Sequence, residues 1–262
     1  GDSSCTLPPV NFGADVLDEI RRTTVALTRE LGVIGLMNVQ YAHKGGRLYV
    51  LEVNPRGSRT VPFVSKAVGT SFAKVGALVA AGKSLDELGV EESVPSHVSV
   101  KVPVFPFVKF PGVDTLLSPE MRSTGEVMGI GPDFARAYHV GLQAASVELP
   151  QSGRVFVSVR DSDKEAIIPV VRRLEELGFS LVATSGTAAK IQSAGIDCER
   201  VNKVTEGRPH IVDRLVNREI DLVINTTIGA QSIKDSFSIR RTSLVQEIPY
   251  ATTVYGAMAM AY

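Results

Sequence analysis

The chain has little cysteine: Cys5 and Cys198 are its only two in 262 residues. Two thiols so far apart supply neither a disulfide framework nor zinc-ligand spacing. They point to a reducing compartment, so the expected location is cytoplasmic. An excess of one charge sign is also missing, since Lys+Arg and Asp+Glu both total 28. That removes the basic surface nucleic acid needs and the polybasic patch an anionic membrane needs. Neither is an expected partner, and small molecules are. No apolar run reaches the ~18 residues of a spanning helix, and the first residues lack the charged-then-apolar pattern of a leader. The opening Gly1-Asp2-Ser3-Ser4-Cys5 reads as the middle of a longer protein.

The length suits one large domain or two ordinary ones, and the pattern favours two. Val16, Ile20, Thr24, Leu27 and Leu31 recur at helical spacing and predict a helix over about Ala14 to Leu31. A small-residue helix is expected over Lys66 to Ala81, ending at Gly82. Ser84 and Glu87 have the spacing of a capping box opening a short helix. Val98, Val100, Val102 and Val104 alternate as in a strand, and Phe134 to Ala145 reads as a helix. Residues 1–94 are taken as the first domain, 95–150 as its end and a linker, and 151–262 as the second domain, with Gln151-Ser152-Gly153 as the boundary.

The densest chemistry lies between. Gly35-Leu36-Met37-Asn38-Val39-Gln40-Tyr41 and Arg47-Leu48-Tyr49-Val50-Leu51-Glu52-Val53-Asn54-Pro55-Arg56 flank the pair Gly45-Gly46, which predicts a hairpin. With the turn centred on Gly46, Gln40 falls opposite Glu52 and Asn38 opposite Asn54. Four oxygen-bearing side chains then share one face, with paired Cβ atoms ~5 Å apart. Such a set suits Mg²⁺, a hard cation that keeps several waters and bridges to substrate phosphates. A merely solvated face would mix Lys, Thr and Glu. This one holds amides and one acid and runs into Arg56 and Arg59, whose guanidinium groups can contact phosphate in bidentate fashion.

From Arg154 onward strand and helix alternate. Val155 to Val159, Phe179 to Thr184, Ile196 to Val201 and Asp221 to Asn225 read as strands; Lys164 to Leu177 and His210 to Arg218 read as helices. Alternation of this kind predicts a parallel sheet covered by helices, with ligands beyond the carboxyl ends of the strands. That rule collects Ser158, Lys164, Thr184, Ser185, Gly186, Thr187, Lys203, Asn225, Thr226 and Thr227. Hydroxyls, backbone N–H groups at a helix start and two lysines make an anion site. Ordinary helix capping explains any one of these residues alone, but not their convergence.

These motifs resemble a known family. G-L-M-N-V-Q, E-V-N-P-R and R-T-V-P-F-V-S-K are similar to the C-terminal part of the second ATP-grasp unit in carbamoyl-phosphate synthetase large subunits. S-V-R-x-x-D-K, A-T-x-G-T, V-N-K-V-x-E-G-R-P-H-I and V-I-N-T-T resemble the methylglyoxal-synthase-like allosteric domain of the same subunit. The implied fold is α/β: the end of an α+β ATP-grasp domain, then a parallel-sheet domain. The implied activity is that of an ATP-dependent ligase, phosphoryl transfer to carbamate for pyrimidine and arginine biosynthesis. ATP and Mg²⁺ or Mn²⁺ are the implied cofactors, with K⁺ a further candidate.

In that resemblance Gln40, Glu52 and Asn54 hold metal beside ATP, and Arg56 and Arg59 lie near the transferred phosphoryl group, where catalysis is positioning and electrostatics. Ser158, Lys164, Thr184, Thr187, Lys203, Asn225, Thr226 and Thr227 match an effector site for UMP or IMP. Asp2, Tyr250 and Thr252 match part of an ornithine site. Val102 stands where ornithine-responsive members carry glutamate, which argues against ornithine activation. A glutaminase small subunit and an oligomer are implied for the full enzyme. The upstream ATP-grasp parts are missing, so the chain is expected to be a C-terminal fragment, inactive alone.

The four histidines offer little chemistry. His43 falls in the expected hairpin turn, and His97, His139 and His210 have no partner at metal or triad spacing, so surface or capping roles are expected. Ser185 stands where a methylglyoxal synthase could carry histidine, which argues against lyase activity. Pro209 is explained by a place in the first turn of a helix. An enzyme fragment and a nucleotide-binding module without catalysis both remain open, and titration with Mg-ATP and with UMP separates them.

Overall fold

A computed structural model describes residues 2–110, 112–117, 120–227 and 230–262. Its elements run β1 (Cys5–Leu7), α1 (Ala14–Glu30), β2 (Asn38–Lys44), β3 (Arg47–Asn54), α2 (Thr60–Val68), α3 (Phe72–Ala80), β4 (Val98–Val104), β5 (Gly125–Gly131) and α4 (Phe134–Ala144). They continue with β6 (Arg154–Ser158), α5 (Ile168–Glu176), β7 (Ser180–Thr184), α6 (Ser185–Ser193), β8 (Glu199–Val201), α7 (Ile211–Val216), β9 (Leu222–Asn225), α8 (Ala230–Asp235), α9 (Phe237–Val245), β10 (Tyr250–Ala251) and α10 (Val254–Ala261). The chain forms two compact units. The first holds 3–101 and 128–137, and the second holds Asp2, 102–127 and 138–262.

In the first unit, β2 and β3 form an antiparallel pair closed by Gly45 and Gly46, both at positive φ (58° and 73°). That is the backbone of a two-residue turn whose twist matches the strands, and glycine adopts it without steric cost. Helix α1 lays Val16, Ile20 and Leu27, all half-buried, along one face. Its Thr24 hydroxyl lies 2.7 Å from the Tyr41 hydroxyl of β2. Strand β1 pairs antiparallel with β4.

The second unit carries most of the core. Five parallel strands in the order β10–β9–β6–β7–β8 have apolar residues on both faces. Successive side chains point to opposite faces, so Val155 and Val157 join Ile167, Val171 and Ile191 on one side. Phe156 packs with Val182, Ile211, Leu215 and Ile239 on the other. Strands buried on both faces are what a helix-covered parallel sheet requires.

Several expectations are corrected. The single helix over Lys66 to Ala81 is two helices, because Gly69 takes a left-handed conformation (φ 77°) and ends α2. The expected helix from Lys164 begins only at Ile168, with Pro169 in its first turn, so Lys164 lies in the preceding turn. Ser84 and Glu87 exchange both capping-box bonds, yet only a turn follows. His43 belongs to β2, not the turn. Pro209 precedes the cap of α7, and His210 is that cap. The alternating valines do form a strand, β4, in which Ser99 and Lys101 between them are buried too.

Candidate functional site

The hairpin brings its polar residues together as expected, by an unexpected route. At the turn Lys44 pairs with Arg47 and Tyr41 with Val50, a register that would set Gln40 opposite Leu51. A bulge between Gln40 and Tyr41 shifts the ladder by one residue. Gln40 therefore pairs with Glu52 and Asn38 with Asn54. Glu52 and Asn54 are hydrogen-bonded through the Asn54 amide N–H, and Arg56 Nη2 donates to Asn54 Oδ1 at 3.3 Å. The Arg56 guanidinium also donates to the Gly57 carbonyl at 3.0 Å. Arg59 precedes the first turn of α2.

Gln40, Glu52, Arg56 and Arg59 are exposed, so this face is open to a ligand. One carboxylate and neighbouring amide oxygens form a partial shell for a hard cation, of the kind completed by water and phosphate oxygens. Among the described residues no group of three or more His, Cys, Asp or Glu is placed to hold a metal.

The second site lies where the strand order reverses. From β6 the chain moves to β7 and β8 on one side and later to β9 and β10 on the other, which makes the carboxyl ends of β6 and β9 the switch point where sheets of this kind offer a crevice. Ser158 and Asn225 are register partners there. The Ser158 and Thr184 hydroxyls lie 3.1 Å apart, and Val159 N–H donates to the Thr187 hydroxyl at 3.3 Å. Arg160 N–H donates to the Thr226 hydroxyl at 3.1 Å. Thr184 ends β7 at the N-cap position of α6, with its hydroxyl turned to Ser158 and making no capping bond. The Lys164 ammonium lies directly over Gly186, the second residue of that helix, where an added Cβ would stand 3.0 Å from it. Positive charge above the first N–H groups of a helix is a place for an anion.

That ammonium already has an anionic partner. Lys164 pairs with Asp161 at 2.7 Å. The hydrogen bond and charge of Lys164, with a further contribution from Lys203, hold the Asp161 carboxyl below its usual range. Ser185 Oγ and Thr227 Oγ1 are buried and have no hydrogen-bond partner among the described residues. Buried hydroxyls are seldom left so; Ser185 opens α6 just after β7, and Thr227 follows the carboxyl end of β9.

The remaining sequence-predicted residues have other surroundings. The Asp2 carboxylate accepts from the backbone N–H groups of Arg122 (2.7 Å) and Ser123 (2.9 Å). Tyr250 begins β10 beside Val223, and burial raises its hydroxyl pKa; Thr252 follows that strand. Val102 is buried within β4. The Cys198 thiol, pushed up to about 12 by burial and the neighbouring Asp197 and Glu199, is no nucleophile at neutral pH. Sequence reasoning missed Asp161, which its i, i+3 spacing to Lys164 would have flagged. It also missed Arg240, for which no sequence signal exists, because arginine is almost always found at the surface.

Residues 2–88 match the family model described as the carbamoyl-phosphate synthase L chain, ATP binding domain, and residues 166–252 match the MGS-like domain. The class is thus an α/β chain with an ATP-binding-type segment before an MGS-like domain. It belongs to the carbamoyl-phosphate synthase large-chain family. It is 56% identical over 258 residues to the carbamoyl phosphate synthase large chain of Myxococcus xanthus, covering 98% of this chain and 24% of that one. It is 55% identical over 261 residues to the large chain of Pseudomonas putida, covering 99% and 24%. It is 53% identical over 267 residues to that of Rhizobium meliloti, covering 100% and 23%. The chain therefore spans about a quarter of the length of these relatives. Among solved structures, a methylglyoxal synthase from Elizabethkingia anophelis aligns with 43% of this chain and 79% of its own, at 20% identity and a TM-score of 0.37.

Proposed function

We propose that this chain is the C-terminal part of a carbamoyl-phosphate synthase large chain, in which the end of the carbamate-phosphorylating ATP-grasp unit is joined to its nucleotide-controlled module. The domain limits are 1–94, 95–150 and 151–262. The observation that carries the reading is the shifted hairpin register, which sets Gln40 against Glu52 and Asn38 against Asn54, with Arg56 bonded to the same row.

Gln40, Glu52 and Asn54 hold Mg²⁺ or Mn²⁺ beside ATP, with K⁺ a further candidate. The metal, when bound, neutralises charge on the phosphate oxygens. Arg56 and Arg59 present guanidinium groups to the transferred phosphoryl group, a transition state whose charge is spread over its equatorial oxygens. In the second unit the effector is UMP or IMP. Lys164, Lys203 and the N-terminus of α6 hold its phosphate, and Ser158, Thr184, Thr187, Asn225, Thr226 and Thr227 form the surrounding wall. Asp2, Tyr250 and Thr252 remain from an ornithine site that lacks its carboxylate at Val102. The full enzyme works in the cytoplasm with a glutaminase small subunit, as an oligomer, in pyrimidine and arginine biosynthesis.

By itself the chain acts as an effector-binding module. The two buried apolar clusters of the second unit support that second reading for the isolated polypeptide. In a full-length large chain carrying this segment, Glu52→Gln should lower Mg²⁺-dependent carbamate phosphorylation by at least ~10²-fold, the usual loss when one group that stabilises transition-state charge is removed. Unchanged turnover with ordinary Mg²⁺ dependence, or carbamoyl phosphate made by the chain alone, would refute the assignment.

A further inference from the structure

Arg240 of α9 is the largest fully buried side chain described, 1% exposed, and it carries a full positive charge. Its Nε donates to Asp114 Oδ1 at 2.8 Å and its Nη2 to Asp114 Oδ2 at 2.5 Å, a bidentate fork. Nη2 also donates to the Ile233 carbonyl of α8 at 2.8 Å, and Nη1 to Asn225 Oδ1 at 3.5 Å. The other end of that amide, Asn225 Nδ2, donates to the Ser158 carbonyl at 3.4 Å and the Ser236 hydroxyl at 3.5 Å. Asp114 is itself anchored, because Arg122 Nη1 donates to its backbone carbonyl at 3.2 Å and its Oδ1 accepts from Leu116 N–H at 3.2 Å.

A buried ion pair is a poor source of stability, since well-packed apolar residues commonly replace one at no cost. What the fork supplies is direction. Asn225 is only 2% exposed, so its amide cannot reorient toward solvent, and the guanidinium decides which end faces inward. With the oxygen turned to Arg240, the amide N–H group is left to brace the Ser158 carbonyl, which also accepts from Thr226 N–H at 3.1 Å. Both sides of the crevice between β6 and β9 are thus set from behind by one charge.

We propose that Arg240, held by Asp114, is a positioning residue of the anion pocket between β6 and β9, and acts through the Asn225 amide. The segment carrying Asp114 thereby biases the pocket from outside it. This rests on the effector-site reading of that pocket.

The test uses the whole chain, with UMP as probe by calorimetry and amide hydrogen exchange on the unliganded protein. Asp114→Asn should weaken UMP binding by about tenfold, within the ordinary span of coupling between sites. On an Asn225→Ala background the same change should cost nothing further, because its route has been removed. Additive losses, or an unchanged affinity in folded Asp114→Asn, would overturn the proposal. Should Asp114→Asn fail to fold, Arg240→Met, which removes the buried charge altogether, takes its place with the same expectations. If the parent chain binds no UMP, the effector reading fails. Exchange then decides the positioning role: Asp114→Asn should speed exchange at Val223 to Thr226 well beyond the general increase that its lower stability brings at the core residues Val171 to Leu174, and an increase no larger at Val223 to Thr226 than at Val171 to Leu174 would sink it.

Discussion

Gln40 lies opposite Glu52 because the ladder skips Leu51. The two-residue turn alone pairs Tyr41 with Val50 and would put Gln40 on the face of Leu51 and Val53. The bulge moves it one place, onto the face of Glu52 and Asn54, and a one-residue slip in a strand exchanges its faces completely. Leu51, left over, is 64% exposed. Bulges next to sites that re-aim a side chain are a recurrent device.

This register can be read by cross-linking. In Gln40→Cys/Glu52→Cys a disulfide should form under mild oxidation, since directly paired Cβ atoms are ~5 Å apart. Gln40→Cys/Leu51→Cys should remain reduced, because Leu51 leaves the ladder. Mass spectrometry after thiol labelling separates the two outcomes, and preferential 40/51 closure would restore the uninterrupted register.

In the second unit, Lys203→Ala should weaken UMP binding by about 1.5–3 kcal/mol, the range for a hydrogen bond to a charged group. The residue is exposed beyond the end of β8, so melting should be unaffected. Calorimetry on the folded variant measures the loss. An unchanged affinity places the phosphate elsewhere.

Val102→Glu puts a carboxylate at a buried strand position, where an unpaired charge is costly. The variant chain should melt below its parent, and ornithine should raise its melting temperature if Asp2, Tyr250 and Thr252 supply the rest of a site. The parent should show no such response. Ornithine stabilising the parent as strongly as the variant would show that another residue carries the charge.

Acid stability follows from Asp114. Burial works to raise its pKa, but the Arg240 hydrogen bond and charge outweigh that and hold the carboxyl below its usual value. A depressed carboxyl contributes stability that is complete above the ordinary aspartate pKa of ~3.9 and is lost as pH falls through the lower folded value. Asp114→Asn should therefore melt below the parent at neutral pH, with the gap closing below about pH 4. Melting curves across that window check the sign; a gap that stays constant into acid would assign the loss to shape and not to charge.

Much of the architecture is written locally. The glycine pair between two apolar alternating runs dictates a hairpin, since both residues must take positive φ and glycine does so without steric cost. Strand–helix alternation after Arg154 dictates a parallel sheet, and the rule that ligands sit beyond strand ends gathers Ser158, Thr184, Asn225 and Thr226 before any coordinate is known. These features depend on neighbours within a few residues, so the sequence determines them. The tertiary structure alone decided which pairs meet. A count from the turn to Glu52 cannot reveal that one residue drops out of the ladder, because bulge formation depends on how both strands pack along their length. Nor does any local pattern bring Arg240 to Asp114 across 126 positions, since a guanidinium is buried only where distant backbone happens to deliver a carboxylate and an amide to receive it.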